Sequence, residues 1–175
     1  MTPMKITRKF NKKEDGQGLV EFALVIPLLL FVLVGVVEIG RIMLVFASAT
    51  TSAREATRYG IAIEENANGL PHYIDCDGIK QAAIGIGQYA GIKVEDVTIR
   101  YQIFGHPVYH PVKEETWPYC GDPDFDADDI KFGDRIDVTV TGEYGTMFPF
   151  LNFDGFTITS NSRRIIVKSI KVEER

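Results

Sequence analysis

Glu21 is the residue whose type and position most call for a chemical explanation. It stands at the start of an apolar run in which residues 22–37 carry no charged side chain. An unpaired carboxylate in such surroundings costs several kcal/mol, so buried or membrane-embedded carboxylates are paired with an opposite charge. The position of Glu21 therefore predicts a positively charged partner.

Two cysteines, Cys76 and Cys120, lie in the polar C-terminal part of the chain. If that part lies outside the cytoplasm, the simplest expectation is a disulfide between them. Closing a loop of about 45 residues would stabilise the fold by about 4 kcal/mol in the chain-entropy model. Two cysteines without a further Cys or His pair make a poor zinc site.

Residues 122–129 are rich in aspartate, and the regular spacing of these aspartates suggests calcium binding as one interpretation. The aspartates at alternate positions are Asp122, Asp124, Asp126 and Asp128. An EF-hand loop would have glycine and glutamate where this chain has Ala127 and Gly133, so the EF-hand pattern fails. A non-standard calcium loop and a solvated acidic loop both stay open.

Two histidines, His106 and His110, flank prolines in a stretch where a regular helix is disfavoured, so they do not face each other as helical metal ligands would. We expect ordinary loop residues. The sequence has no glycine-rich phosphate loop, serine elbow or Cys/His nucleophile pair. We therefore expect neither enzymatic activity nor a cofactor.

The charge distribution separates a basic leader from an acidic remainder. The net charge is −5, of which the first 15 residues contribute +3, leaving −8 for the rest. An acidic chain repels phosphate backbones, which argues against a nucleic-acid partner. Basic residues before an apolar run stay in the cytoplasm, so the chain beyond the run, with both cysteines, is expected outside it.

The apolar run is close to the length of a membrane span. Residues 22–37 are 16 in number, and about 20 are needed. Extension to Leu19, or onward past Glu38 and Arg41, supplies the remainder. Pro27 predicts a kink or local loosening of the helix. Hydropathy alone is equally compatible with a plain signal anchor, whereas a cleaved secretory signal is disfavoured because no small-x-small site closes the run.

Residues 16–22 read Gly-Gln-Gly-Leu-Val-Glu-Phe and follow the basic leader. They resemble the processing site of type IV pilin-like proteins, in which a membrane peptidase cuts after a glycine and the mature chain has glutamate at its fifth position. Over residues 16–61 the chain is similar to the TadE-like family of the tight-adherence pilus system. The other matching phrases are Ala23-Leu24-Val25-Ile26-Pro27, Glu38-Ile39-Gly40-Arg41 and Ala53-Arg54-Glu55-Ala56-Thr57-Arg58-Tyr59-Gly60. A weaker similarity resumes over residues 136–151 and 163–164.

This resemblance implies cleavage after Gly16, which makes Gln17 the first mature residue, Glu21 the fifth and Phe22 the sixth. Gly18 is a second possible cut point, but it would place Glu21 third, so Gly16 is preferred. The resemblance further implies that Glu21 meets the freed amine of a neighbouring subunit. The implied partners are a prepilin peptidase, other pilins or pseudopilins, and the pilus assembly platform.

The chain is predicted to have three parts. These are a leader over residues 1–16, a helix over 17–62 whose first half crosses the membrane, and an extracytoplasmic domain over 63–175. The outer part of the helix carries one stripe at helical spacing. Its members are Ile39, Ile42, Phe46, Ala49, Ala53, Ala56 and Gly60. At the usual rise the helix would be about 67 Å long, so its outer third must leave the membrane.

The C-terminal part predicts an α+β domain. Residues 77–89 predict a second helix, with Asp77 as its N-cap. Alternating apolar residues predict strands over 97–103 and 136–144, and a last strand from Phe156 towards Val172 with a bulge within 161–164. Short connections favour an antiparallel three-stranded sheet whose apolar face is covered by the two helices.

These observations favour a minor pilin or pseudopilin of a tight-adherence pilus, in a bacterial cytoplasmic or inner membrane, with its N-terminus in the cytoplasm. A position in the fibre, at its tip or only in the membrane complex stays open. The alternative is an uncleaved single-pass membrane protein with an extracytoplasmic ligand- or calcium-binding domain.

Overall fold

The computed structural model describes residues 14–106, 108–109, 111–147 and 155–168. These residues form the expected α+β fold. Its regular elements are the helices α1 (Glu14–Gly60) and α2 (Cys76–Gly87) and the strands β1 (Val97–Gln102), β2 (Arg135–Tyr144) and β3 (Phe156–Ile165).

The chain divides into two units, Met1–Gly40 and Arg41–Arg175. We call the first the N-terminal unit and the second the head. The last turns of α1, from Arg41 to Gly60, belong to the head. Helix α1 begins at Glu14, three residues before the expected Gln17, and most of the predicted leader lies outside the described residues.

The sheet has the order β1-β2-β3 with antiparallel neighbours, as predicted. In the β2–β3 pair the register runs without interruption from Arg135 opposite Ile165 to Tyr144 opposite Phe156. The predicted bulge within residues 161–164 is therefore wrong. The irregular alternation there reflects Arg163 and Arg164, which are both exposed near the end of an edge strand. Part of the predicted extension towards Val172 lies outside the described residues.

The alternation predicted for β1 is confirmed, because one face of that strand is buried and the other half-exposed. The core lies between this face of the sheet and the two helices. Its members on the strands and just beyond β1 are Val97, Ile99, Tyr101, Ile103, Ile136, Val138 and Val140. From the helices it receives Ala49, Ala53, Ala56, Ile79 and Ala83.

The α1 side chains that face the sheet are small, because the helix backbone approaches it closely. A methyl group added at Gly142 would lie 2.7 Å from Cγ1 of Val45, and one added at Gly60 would lie 2.7 Å from Cδ1 of Ile136. The predicted stripe is wrong at Ile39 and Phe46, which are 60% and 54% exposed, and Val45 (8% exposed) is buried in place of Phe46. An aromatic ring would not fit against Gly142.

The N-cap of α2 is Asp75, and the prediction of Asp77 is wrong. One oxygen of Asp75 accepts a hydrogen bond from the Gly78 amide at 3.0 Å. The other accepts from the Tyr59 hydroxyl at 2.7 Å and from the Asn66 amide group at 2.8 Å. Asp75 thus joins the end of α1, the following loop and the start of α2.

These contacts shift the acidity of both titrating groups. Burial would raise the pKa of Asp75, but hydrogen bonds from Asn66, Tyr59 and the Gly78 amide lower it below its ordinary value. The hydrogen bond to Asp75, together with burial, raises the pKa of Tyr59 to about 12. The carboxylate and the neutral phenol are therefore the forms that the fold stabilises.

Asp75→Ala is expected to lower the free energy of unfolding by about 1–2 kcal/mol at pH 7, because a cap and its cross-links are lost. A carboxylate with a lowered pKa stabilises the fold above its unfolded pKa of about 4, and that contribution disappears as the pH falls through the folded pKa. The gap between wild type and variant should thus close in acid. Denaturant unfolding of the full chain in detergent, at several pH values, measures this difference in the free energy of unfolding. Asp77→Ala is the control, and equal losses in both variants would contradict the assignment.

Two glycines of α2 make a second test, because only one of them is crowded. A methyl group at Gly87 would lie 2.9 Å from both Cβ of Ile92 and Oγ of Ser52, whereas one at Gly85 meets nothing within 4 Å. Gly87→Ala should therefore destabilise the head by about 1–3 kcal/mol. Gly85→Ala should stabilise it by up to about 1 kcal/mol, since alanine is the better helix former. Thermal unfolding compares the two, and stabilisation by both would refute the close approach of α2 to α1.

Candidate functional site

The N-terminal unit consists largely of an exposed apolar helix. Most apolar side chains between Leu19 and Val37 are exposed, in a protein whose head buries a regular core. By length and composition α1 is able to cross a membrane. Exposed apolar surface of this extent is stable only against lipid or other apolar helices.

The glycines at the start of α1 are not required by packing within the chain. Methyl groups added at Gly16 or Gly18 meet no atom within 4 Å. Glycine in a helix costs about 1 kcal/mol relative to alanine. The described contacts within the chain therefore do not require glycine at either position.

Glu21 lies one turn beyond Gln17 on the same side of α1. The Gln17 side-chain amide donates a hydrogen bond of 3.4 Å to Oε1 of Glu21. Among the described residues no cation pairs with this carboxylate, and both residues, like the neighbouring Phe22, are exposed. A single long bond from a neutral amide compensates little of the cost of moving a carboxylate into lipid. The positively charged partner expected for Glu21 is thus not among the described residues and stays a prediction.

Pro27 lies inside α1, and the helix continues through it. Proline has no amide hydrogen, so the carbonyl of Ala23 loses its usual partner four residues on. In a membrane such a carbonyl is satisfied by neighbouring helices or local adjustment. The predicted kink remains a prediction.

The two cysteines are joined by a disulfide, with their Cα atoms 5.7 Å apart. Cys76 is the first residue of α2, and the Cys120 amide donates to the Ile99 carbonyl of β1 at 3.0 Å. The Tyr101 hydroxyl lies 2.8 Å from Sγ of Cys120 and bonds the Tyr73 carbonyl at 2.6 Å. The bridge therefore ties the irregular segment before β2 to α2 and to the outer edge of β1.

The aspartates of residues 122–129 act partly as local turn caps. Asp122 accepts from the Asp124 amide at 3.2 Å, and Asp129 accepts from the Asp126 amide at 3.1 Å. Within the part of the chain that the structure describes, no three acidic, His or Cys side chains are grouped so as to hold a metal ion. Burial raises the pKa of Tyr109, and the nearby carboxylates of Asp122, Asp129 and Asp124 raise it further.

His106 packs against this acidic segment. Its Nε2 lies 3.6 Å from a carboxylate oxygen of Asp129, and its ring stacks on Tyr109 with centroids 4.6 Å apart. These are the contacts of a loop residue. His110 lies outside the described residues.

An ion pair that the sequence did not predict joins the buried Asp137 of β2 to Arg163 of β3. Asp137 is 2% exposed, and its carboxylate accepts from Nε of Arg163 at 2.6 Å and from the Asn161 side chain. The Arg163 guanidinium also lies over the Trp117 ring, 4.6 Å from its centroid. An aspartate within an apolar strand is the one sign of this pair in the sequence. Its partner, Arg163, can be identified only from the β2–β3 register.

An exposed apolar helix followed by a disulfide-bonded α+β head indicates a single-pass membrane-anchored protein. Residues 16–58 match the family model described as TadE-like protein, which confirms the resemblance found in the sequence. The match covers about a quarter of the chain. No curated protein and no solved structure matches. This N-terminal segment is TadE-like, which indicates a component related to the tight-adherence pilus.

Proposed function

We propose that this chain is a minor pilin or pseudopilin of a tight-adherence pilus, processed by a prepilin peptidase and anchored through α1. The observation that carries the proposal is the placement of Glu21. Its exposed carboxylate precedes an uncharged helical run, has the Gln17 amide as its described partner, and is the fifth residue after Gly16. A neighbouring subunit that supplies a cation would complete this arrangement.

Cleavage after Gly16 would create that cation. It converts the peptide nitrogen of Gln17 into an amine, which is protonated at neutral pH or slightly below. A carboxylate and an ammonium inside a bundle of apolar helices each remove much of the other's desolvation cost. Because the pair forms only after cleavage, processing and assembly competence are linked. Among the described residues no atom lies within 4 Å of a methyl group placed at Gly16, so these residues leave the site open to a peptidase.

The charges and the disulfide support one orientation. The basic leader favours a cytoplasmic N-terminus, and the Cys76–Cys120 disulfide is typical of an oxidising, extracytoplasmic compartment. The head would then lie outside the cytoplasmic membrane, or in an extracellular pilus after assembly. In this role the protein is a subunit and a peptidase substrate, with no enzymatic activity of its own. It would act with other pilins and the assembly platform, in adhesion or secretion.

Co-expression with a prepilin peptidase should shorten the chain to one that begins at Gln17. Mass spectrometry of the N-terminal peptide measures the cut directly. Gly16→Val should leave the chain uncut, because a branched side chain at the scissile position would obstruct a site that accepts glycine. Gly18→Val is the matched control and should still be cut. An intact wild-type chain, or one cut after Gly18, would disprove the assignment.

Glu21→Ala should leave cleavage largely intact and reduce co-purification with other pilins at least tenfold. The reason is that the freed amine loses its partner inside the helix bundle. Affinity capture from detergent-solubilised membranes measures the association, and Glu21→Gln separates charge from shape. Glu55→Ala, at a charged position on the head part of α1, is the control. Undiminished association of both Glu21 variants would rule out the pairing.

A further inference from the structure

The end of β3 carries a basic concavity that the proposed function does not use. Its volume is about 470 Å³, and it is lined by Ile61, Arg135, Arg163, Arg164 and Ile165. Arg135 stands opposite Ile165 in the sheet, and Ile61 directly follows α1. Three arginines and two isoleucines thus line the concavity.

Positive charge is in excess at this concavity. Arg163 is paired with Asp137, and the Arg135 guanidinium lies over the Phe104 ring at 5.9 Å. Among the described residues neither Arg135 nor Arg164 has a carboxylate partner. The nearby carboxylate of Asp134 is buried and accepts hydrogen bonds from backbone amides. Arginine side chains beside apolar ones favour the binding of a segment that carries carboxylates.

The same head displays such a segment at its other edge. Residues 122–129 contain five aspartates and no cation. The segment is held in place, because the Phe125 ring packs on Tyr101 with centroids 4.9 Å apart and the disulfide at Cys120 is adjacent. Asp124 and Asp128 are exposed at its surface. A fixed acidic surface loses little conformational entropy when it docks.

The acidic segment and the basic concavity lie on opposite edges of the sheet. The segment adjoins the outer edge of β1, where the Cys120 amide bonds the Ile99 carbonyl, and the concavity adjoins β3. Two strand spacings, about 10 Å, separate the edges. The concavity lies at the end of the sheet where Gln102, Arg135 and Ile165 are aligned. The acidic segment lies near the same end, because Phe125 packs on Tyr101, the residue before Gln102. Within one head they face away from each other.

We propose that the acidic segment of one copy docks against the Arg135–Arg163–Arg164 concavity of the next copy. Because both surfaces lie at the same end of the sheet, a sideways shift brings them together without inverting either copy. Chains anchored in one membrane require that geometry. The contact joins two different surfaces, so it can repeat along a row of heads. The outer edge of β3 pairs with no described strand, which leaves room for the neighbour.

The proposal rests on the proposed function only for its premise that assembly brings copies side by side. Its test is charge reversal in the full chain, with two differently tagged copies co-expressed in the membrane and captured from mild detergent at low salt. Arg164→Glu in both copies, or Asp124→Lys in both copies, should reduce co-capture at least tenfold, because like charges then meet. Lys113→Glu and Glu143→Lys change exposed charges elsewhere on the head and should leave capture unchanged.

The decisive arm mixes an Arg164→Glu copy with an Asp124→Lys copy. The first keeps an intact acidic segment and the second an intact concavity, so their co-capture should return to near the wild-type level. A mixture as weak as the single variants would overturn the proposal and assign the concavity to another partner. Single variants that associate like wild type would also overturn it.

Each arm is run with and without a prepilin peptidase, and the N-terminal mass is read in parallel. In the arms with the peptidase, charge-dependent capture of a chain that stays uncut would contradict the processing at Gly16 and support the contact between heads. Normal cleavage with charge-independent capture would support the processing at Gly16 and contradict the contact between heads. The two proposals therefore fail separately.

Discussion

The cost of a carboxylate at the start of an apolar helix is the constraint on which this protein depends. Glu21 has only the Gln17 amide as its described partner, and the helix beyond it exposes apolar side chains over many turns. The exposed apolar surface is unfavourable in water, and the carboxylate is unfavourable in lipid. In the proposed assembly both costs are removed, because several such helices pack together and each carboxylate meets an amine. The proposed function thus makes assembly the condition under which the N-terminal unit becomes stable.

The constraint on the head is different, because the head must fold around a small core. Small residues on α1 and Gly142 on β2 let the helix approach the sheet, while Asp75 joins three successive segments. The disulfide between Cys76 and Cys120 fixes the long irregular segment to this frame. One result is that acidic and basic surfaces are displayed at the two edges of the sheet without flexible linkers.

Local sequence patterns predicted the helices and strands of this fold. They did not predict the residues whose roles depend on contacts between distant parts of the chain. The alternation of β1 and the exposed apolar run could be read directly, because burial follows from periodicity. The sequence predicts Asp77 as the N-cap, whereas the Gly78 amide bonds Asp75, whose other oxygen is fixed by Tyr59 and Asn66 from distant parts of the chain. The Asp137–Arg163 pair required the β2–β3 register, which a single sequence does not define. The spacing from Gly16 to Glu21 was recognisable because it is a local motif.

The most direct test of the central claim is a zero-length cross-link between two copies. Processed chains of heavy and light isotope composition are co-assembled, treated in the membrane with an apolar carbodiimide, and digested for mass spectrometry. The account predicts an amide between the Gln17 amine of one copy and the Glu21 carboxylate of another, seen as mixed heavy–light peptides. Cross-links confined to one isotope, or a Glu21 that never reacts with the amine, would contradict it.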